Sequence, residues 1–164
     1  MLILVCGLPG SGKSFFARTL SIRLQARYYN SDLLRKELFP NKRTYSEEEK
    51  QTVYSKLVAI AKKNLKDQHT VIIDATFYKN ALRIPFYQLA EKLSCKVYIF
   101  YIQASEDLIK ERTSLLREDS EADFNVYLKL KNKFEPIERA FLSLTSERNN
   151  IDQLIHSALL YLKS

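Results

Sequence analysis

Short runs of consecutive apolar residues alternate along this chain with longer stretches in which apolar positions recur every three or four residues. That alternation predicts an α/β protein built on a parallel sheet. Residues 2–6 read as a buried strand and 13–26 as a helix. A second strand is expected over 26–30, followed by a short helix capped by Ser31 or Asp32 that stops near Phe39-Pro40. The clearest helix spans 46–66, where Ser46 and Glu49 form a capping box and Val53, Leu57, Ile60, Ala61 and Leu65 repeat at helical spacing. Residues 70–74 form a buried strand that ends in a carboxylate, and helix 79–93 follows, interrupted early by Pro85. A strand at 96–103 leads into a helix from about 105 into the 110s. Residues 117–123 are densely polar and break the apolar period, which marks them as a lid. A helix at 124–135, a weaker strand at 140–144 and a terminal helix at 149–162 complete the pattern. No composition shift or linker divides the 164 residues, so a single domain, 1–164, is expected, with its lid over about 112–125.

Composition adds one sharp feature. The chain has only three glycines, and all of them, Gly7, Gly10 and Gly12, fall in one loop between the first strand and the first helix. Glycines concentrated this way imply a backbone that something approaches closely. The opening apolar run stops at Gly7, too short for a membrane span, and it has no basic leader. Cys6 and Cys95 suggest buried free thiols rather than a disulfide framework or a metal knuckle, and with them a cytoplasmic setting. The net charge of +7 favours an anionic ligand, nucleic acid among the candidates. The densest basic cluster, Lys129, Lys131 and Lys133, reads equally as a solvated helix face or a track for a polyanion.

The loop Gly7-Leu8-Pro9-Gly10-Ser11-Gly12-Lys13-Ser14 satisfies G-x-x-x-x-G-K-[ST] in the required place, after a buried strand and at the start of a helix. Its backbone N–H groups are expected to curl around a phosphate, joined by the positive end of the helix that begins there, with Phe15 in its first turn. Lys13 then reaches the β/γ oxygens and the Ser14 hydroxyl meets Mg²⁺. A nucleoside triphosphate, ATP or GTP, with Mg²⁺ is the expected cofactor.

Two acids arrive at the carboxyl ends of strands, where open parallel sheets bind ligands. Asp32, with Arg35 three residues on, is placed to take a proton from an acceptor hydroxyl while Arg35 holds an anionic part of that acceptor; the plainer readings are an N-cap and a surface arginine. Asp74 suits a Walker-B-type ligand to the magnesium shell, or a strand-end turn residue. The two acids exchange roles without conflict at this level. Arg112 and Arg117 stand where a lid would deliver positive charge to the transferring group. His69 and His156 are read as structural, while Tyr45, Tyr54 and Phe77 are either walls of an acceptor site or core.

These segments together, Gly-Leu-Pro-Gly-Ser-Gly-Lys-Ser, Asn-Ser-Asp-Leu-Leu-Arg-Lys-Glu-Leu, Val-Ile-Ile-Asp-Ala-Thr-Phe and Lys-Glu-Arg with a second arginine five residues later, resemble the zeta-toxin and polynucleotide-kinase-like group of P-loop kinases. The likeness is nearest to the ATP-binding half of bacterial two-part proteins that also carry an aminoglycoside-phosphotransferase-like domain, and Tyr45-Ser46 and Phe134-Glu135-Pro136 share in it. It covers about residues 2–145 and implies five parallel strands with helices on both faces and a small helical lid. It also implies that Asp32 is the general base, Arg35 the acceptor-phosphate anchor and Arg112 or Arg117 the lid arginine. The chain leaves no space for the partner domain, so action alone or with a separate subunit is expected. The acidic lid residues Glu118, Asp119, Glu121 and Asp123 would repel a nucleic-acid backbone.

Two functions follow as expectations. The first is a kinase acting on a hydroxyl of a nucleic acid, nucleotide or small molecule, a toxin being one biological form of it. The second is a nucleotide-dependent ATPase or switch acting on a protein partner. No membrane partner and no obligate protein partner are expected.

Overall fold

The computed structural model describes residues 1–114 and 122–163. Five apolar runs become the strands β1 (Leu2–Cys6), β2 (Arg27–Asn30), β3 (Val71–Asp74), β4 (Val97–Gln103) and β5 (Leu142–Thr145). They form one parallel sheet in the order β2-β3-β1-β4-β5. The helices are α1 (Lys13–Leu24), α2 (Ser31–Leu38), α3 (Glu47–Lys66), α4 (Asn80–Lys92), α5 (Glu106–Ser114), α6 (Phe124–Lys131) and α7 (Ile151–Tyr161).

β1 is central and every one of its residues is buried, as a continuous apolar run covered on both faces requires. Its side chains alternate between two cores. Leu2, Leu4 and Cys6 pack with Leu57 and Ala61 of α3 and Phe86 and Ala90 of α4. Ile3 and Val5 pack with Phe16 and Leu20 of α1 and Leu154 and Ala158 of α7. Phe16 meets Phe100 of β4 edge to face at 5.5 Å, which pins the first turns of α1 to the sheet. A third, smaller core joins Leu8 of the glycine loop to Ile109 of α5 and Tyr127 of α6. The expected three-layer α/β architecture with helices on both faces is therefore present. The expected lid lies partly outside the described residues.

The topology places the site. From β1 the chain crosses by α1 to β2 on one side, and the later crossovers carry it past β1 to β4 on the other. Strand order thus reverses beside β1, and the crevice at that strand's carboxyl end is where such sheets bind ligands. In the register, Asp74 pairs with both Val5 and Asn30, so the ends of three strands meet at one level.

Three local expectations need correction. The N-cap of α2 is Asn30 rather than Ser31 or Asp32: its backbone is extended and its Oδ1 accepts from the Asp32 and Leu33 amides, each at 2.9 Å. Pro85 does not interrupt α4, which runs through it; Phe86, Leu89 and Ala90 bury the helix on the sheet, and that packing outweighs one lost backbone bond. α6 ends at Lys131 rather than at 135. The following segment turns back to the sheet instead, where the Glu135 amide donates to Tyr78 O at 2.8 Å and Phe134 packs on Tyr101.

Candidate functional site

The loop between β1 and α1 is shaped by contacts that leave no space for side chains. At Gly7, a Cβ would stand 2.5 Å from the carbonyl oxygen of Ile102 in β4. At Gly12, the φ of +89° is left-handed, and a Cβ would meet Ser146 Oγ at 2.7 Å. Gly12 is the N-cap of α1 and offers no side-chain cap, so the first amides of α1 remain open to an anion. The Ser11 hydroxyl, buried in the same loop, has no hydrogen-bond partner among the described residues. Gly12→Ala is expected to destabilise the fold by about 1–3 kcal/mol through left-handed strain, together with weaker nucleotide binding. Thermal unfolding with and without nucleotide measures both, and a variant as stable as the parent would show that the loop is not held in this form.

The magnesium position can be tested on its chemistry. Asp74 at the end of β3 is fully buried. Its Oδ2 accepts from the Tyr28 hydroxyl at 2.7 Å and from Asn30 Nδ2 at 2.6 Å, while Oδ1 has no partner among the described residues. Asn30 Nδ2 also stands 3.4 Å from Ser14 Oγ. A buried carboxylate oxygen without a donor is costly unless a cation or its water shell completes it. The pair Ser14 and Asp74 therefore fits a hard, oxygen-seeking cation such as Mg²⁺. Burial first, and then the Asp74 carboxylate beside it, push the Tyr28 hydroxyl well above the usual phenol range, so it stays a donor.

Next to the loop lies a cavity of about 450 Å³ whose wall includes Pro9, Lys13, Asp32, Arg35, Tyr45 and Tyr54. Lys13, in the first turn of α1, is itself buried. Asp32 and Arg35 stand three residues apart on α2 and both line this cavity, which bears out the shared face that their spacing predicts. Arg35 is no surface arginine. It is 5% exposed, its Nη1 donates to Glu49 Oε1 at 2.7 Å, and its guanidinium lies 4.8 Å from the Tyr45 ring centroid. Tyr45 serves as cavity wall, Tyr54 as both wall and core, and Phe77 as core, edge to face with Tyr54 and Phe86.

Glu49 was legible in the sequence only as half of a capping box. Ser46 does cap α3, accepting from the Glu49 amide at 3.2 Å. The Glu49 carboxylate, however, takes the Thr44 amide at 2.6 Å, the Thr44 hydroxyl at 2.9 Å and the Tyr45 amide at 3.2 Å, besides Arg35. Burial by itself would raise this carboxyl, but the hydrogen bonds from Arg35 and Thr44 and the Arg35 charge outweigh it and bring it down to about 2.

Arg112 comes from the last turn of α5 to the other side of the loop. Its Nη1 donates to Gly10 O at 3.3 Å and to Ser146 Oγ at 3.2 Å, and its Nη2 to Glu147 O at 3.1 Å. It thus ties α5 to the glycine loop and to the segment after β5. Arg117, Glu118, Asp119 and Glu121 lie outside the described residues; Asp123 caps α6 through the Val126 amide at 2.9 Å. Both cysteines are free, and burial pushes the Cys6 thiol up to about 12. Among the described residues no helix is long and apolar enough to cross a membrane, and no group of three or more His, Cys, Asp or Glu side chains is placed to hold a metal ion.

Three residues central to this geometry were missed in the sequence: Tyr28, Asn30 and Glu49. Only Asn30 left a usable signal, as a capping residue type directly before a helix that begins at a strand end.

Comparison with known proteins places these observations. Residues 2–137 match the model of the AAA domain family. Among curated proteins, the L-seryl-tRNA(Sec) kinase of Methanococcus maripaludis is 27% identical over 117 residues, which cover 68% of this chain and 44% of that protein. The chain thus matches less than half the length of this curated relative. Among solved structures, Chaetomium thermophilum Kti12 in complex with ADP-AlF3 superposes with a TM-score of 0.72 at 22% identity, covering 97% of each chain. The Mycobacterium tuberculosis APS kinase CysC in complex with AMPPNP and APS superposes with a TM-score of 0.71 at 18% identity, covering 99% of this chain and 97% of that one. At these identities the structural likeness establishes the P-loop kinase fold.

Proposed function

The chain belongs to the AAA domain family, and from that premise we propose that it is an ATP-dependent phosphotransferase that moves the γ-phosphoryl group to a hydroxyl of an acceptor. The observation that carries this reading is the juxtaposition of Lys13 with Asp32 and Arg35 on the wall of one cavity. A hydrolase needs room for a water; a kinase needs an acceptor-sized space beside the γ-phosphate. The kinase named among the curated relatives and the kinases among the structural neighbours support the same reading.

In this mechanism the amides of the glycine loop and of the first turn of α1 hold the phosphates, and Lys13 reaches the β/γ oxygens. Ser14 and Asp74 hold Mg²⁺, with Asn30 and Tyr28 fixing the Asp74 carboxylate. When bound, the ion would supply positive charge that offsets the negative charge of the nucleotide phosphates. Asp32 receives the acceptor's proton as the acceptor oxygen bonds to the γ-phosphorus. The bond from that phosphorus to the bridging oxygen breaks, and the nucleoside diphosphate leaves with the electron pair. Arg35 anchors an anionic part of the acceptor, and Arg112 or Arg117 closes the lid side. The domain works as one unit, residues 1–164, in the cytoplasm, and its chemistry is akin to that of the zeta-toxin and polynucleotide-kinase-like group.

The test is incubation with γ-labelled ATP, Mg²⁺ and an acceptor panel of 5′-hydroxyl DNA and RNA, nucleotide sugars, nucleosides, sugars and aminoglycosides, with Lys13→Ala alongside. The parent is expected to label one acceptor class, and Lys13→Ala to lower that labelling at least about 10²-fold, the scale for one lost electrostatic contact in the transition state. Release of label only as inorganic phosphate, whatever is added, would reject phosphotransfer in favour of a partner-driven ATPase.

A further inference from the structure

The basic cluster at Lys129, Lys131 and Lys133 divides in three dimensions. Lys131 faces α5 and pairs with Glu106 at 3.1 Å. Val126, Lys129 and Leu130, three and four residues apart on α6, line the cavity together, and Lys133 continues that wall from the turn that closes the helix. Lys50 and Lys79 line the same cavity, each with Nζ 5.5 Å from the Tyr78 ring centroid. The carboxylates available to these cations are few. Glu49 is committed to Arg35. Glu47 is shared, at 2.8 Å from Lys50 Nζ and 3.8 Å from Lys79 Nζ, with the Lys133 charge also acting on it. Asp32 is the other carboxylate on the cavity wall. Neither Lys129 nor Lys133 has an ion-pair partner among the described residues. Arg35 is buried, and its Nε has no acceptor among the described residues, although Nη1 is satisfied.

Like charges lining one cavity repel one another, and an anion placed among them relieves that repulsion. The volume of about 450 Å³ falls in the range of small-molecule pockets. Resting on the phosphotransferase reading above, we propose that the acceptor is a small phosphorylated metabolite. Its phosphate is held by Lys129 and Lys133, with Lys79 and Arg35 lining the same cavity, and its free hydroxyl points to Asp32. Lys129 and Lys133 are then specificity-determining residues, and aminoglycosides, which are cations, are poor acceptors.

The experiment pairs acceptors that differ only in a phosphate: glucose with glucose 6-phosphate, and nucleosides with nucleoside 3′-monophosphates. A 5′-hydroxyl oligonucleotide stands as the polymer arm. Phosphorylated members are expected to take label and their uncharged partners not. The double variant Lys129→Gln/Lys133→Gln, altered at two exposed positions, is expected to raise KM for the phosphorylated acceptor about 10–100-fold, the scale for hydrogen bonds to a charged group, with kcat within about threefold. As a binding readout, protein loaded with Mg²⁺ and a non-hydrolysable ATP analogue is titrated with inorganic phosphate against chloride at equal ionic strength. The parent is expected to gain thermal stability and the double variant to gain none. Label on uncharged or cationic acceptors, label on the oligonucleotide alone, an unmoved KM, or a phosphate response equal in both proteins would each overturn the inference while phosphotransfer stands. Release of inorganic phosphate alone would overturn both together, so the two failures are told apart.

Discussion

Asp32→Asn is expected to slow phosphoryl transfer about 10²–10⁴-fold, the range that general-base catalysis contributes, with nucleotide affinity unchanged. Asp32 stands on the first turn of α2 and lines the cavity that Lys13 also lines. The turn is held from outside by Asn30, whose carboxamide caps the Asp32 and Leu33 amides, so an isosteric amide at 32 keeps the local backbone. What is lost is the basicity of the carboxylate, since an amide oxygen accepts a hydrogen bond but does not take up the acceptor's proton. The deficit therefore belongs in single-turnover transfer with γ-labelled ATP and acceptor, while equilibrium binding of a non-hydrolysable analogue stays level. Transfer within about threefold of the parent would remove Asp32 from proton transfer, whatever its position.

Glu49→Ala is expected to cost about 3–5 kcal/mol of stability, the range for leaving one partner of a buried ion pair uncompensated. Arg35 is buried and Glu49 holds it, while the same carboxylate gathers the Thr44 and Tyr45 amides that lead into α3. For a domain of this size that loss corresponds to a fall in Tm of about 6–20 °C. Replacing both members, Arg35→Met with Glu49→Leu, is expected to recover much of the stability and none of the acceptor turnover, because the charge is gone from both sides. Losses at Arg35→Met and Glu49→Leu that simply add up to the loss in the double variant would show that the pair is not coupled.

The same carboxylate gives a pH signature. Its folded pKa, about 2, lies below the unfolded reference of 4.5, so the unfolded chain binds the extra proton. The stabilisation is complete above the unfolded value and is lost as pH falls through the folded one. Denaturant unfolding between pH 5 and pH 2 is expected to show this loss in the parent and a flatter profile in Glu49→Gln.

Much of the fold was readable because the signals were local. An apolar run, a glycine loop and a periodic helix identify β1, the phosphate nest and α1 without reference to anything distant in sequence. Asp74 was legible as an acid at the end of an apolar strand, and Asp32 with Arg35 as a helical pair. The partners of these residues were not. Arg35 is exposed or buried according to whether Glu49, fourteen residues on, folds back over it, and helix spacing carries no word of that. Asn30 bonds Asp74 because β2 and β3 lie side by side, which local pattern does not reveal. Pro85 reads as a break because propensity ignores the core that α4 covers. α6 ends at Lys131, and beyond it the Glu135 amide is held by Tyr78 O, a partner far away in sequence.

The sequence by itself determined the class of the protein: a parallel α/β sheet, a phosphate-binding loop with its lysine and hydroxyl, and acids at strand ends. Those features follow from steric freedom at glycine and from apolar periodicity, both properties of neighbouring residues. Only the tertiary structure decided which charges are satisfied and which are left facing a cavity. Lys129, Lys131 and Lys133 are alike in sequence, yet one pairs with Glu106 and two line the cavity beside the glycine loop. That division depends on how α6 is turned against α5 and Leu8, a matter of packing that no short stretch of chain encodes.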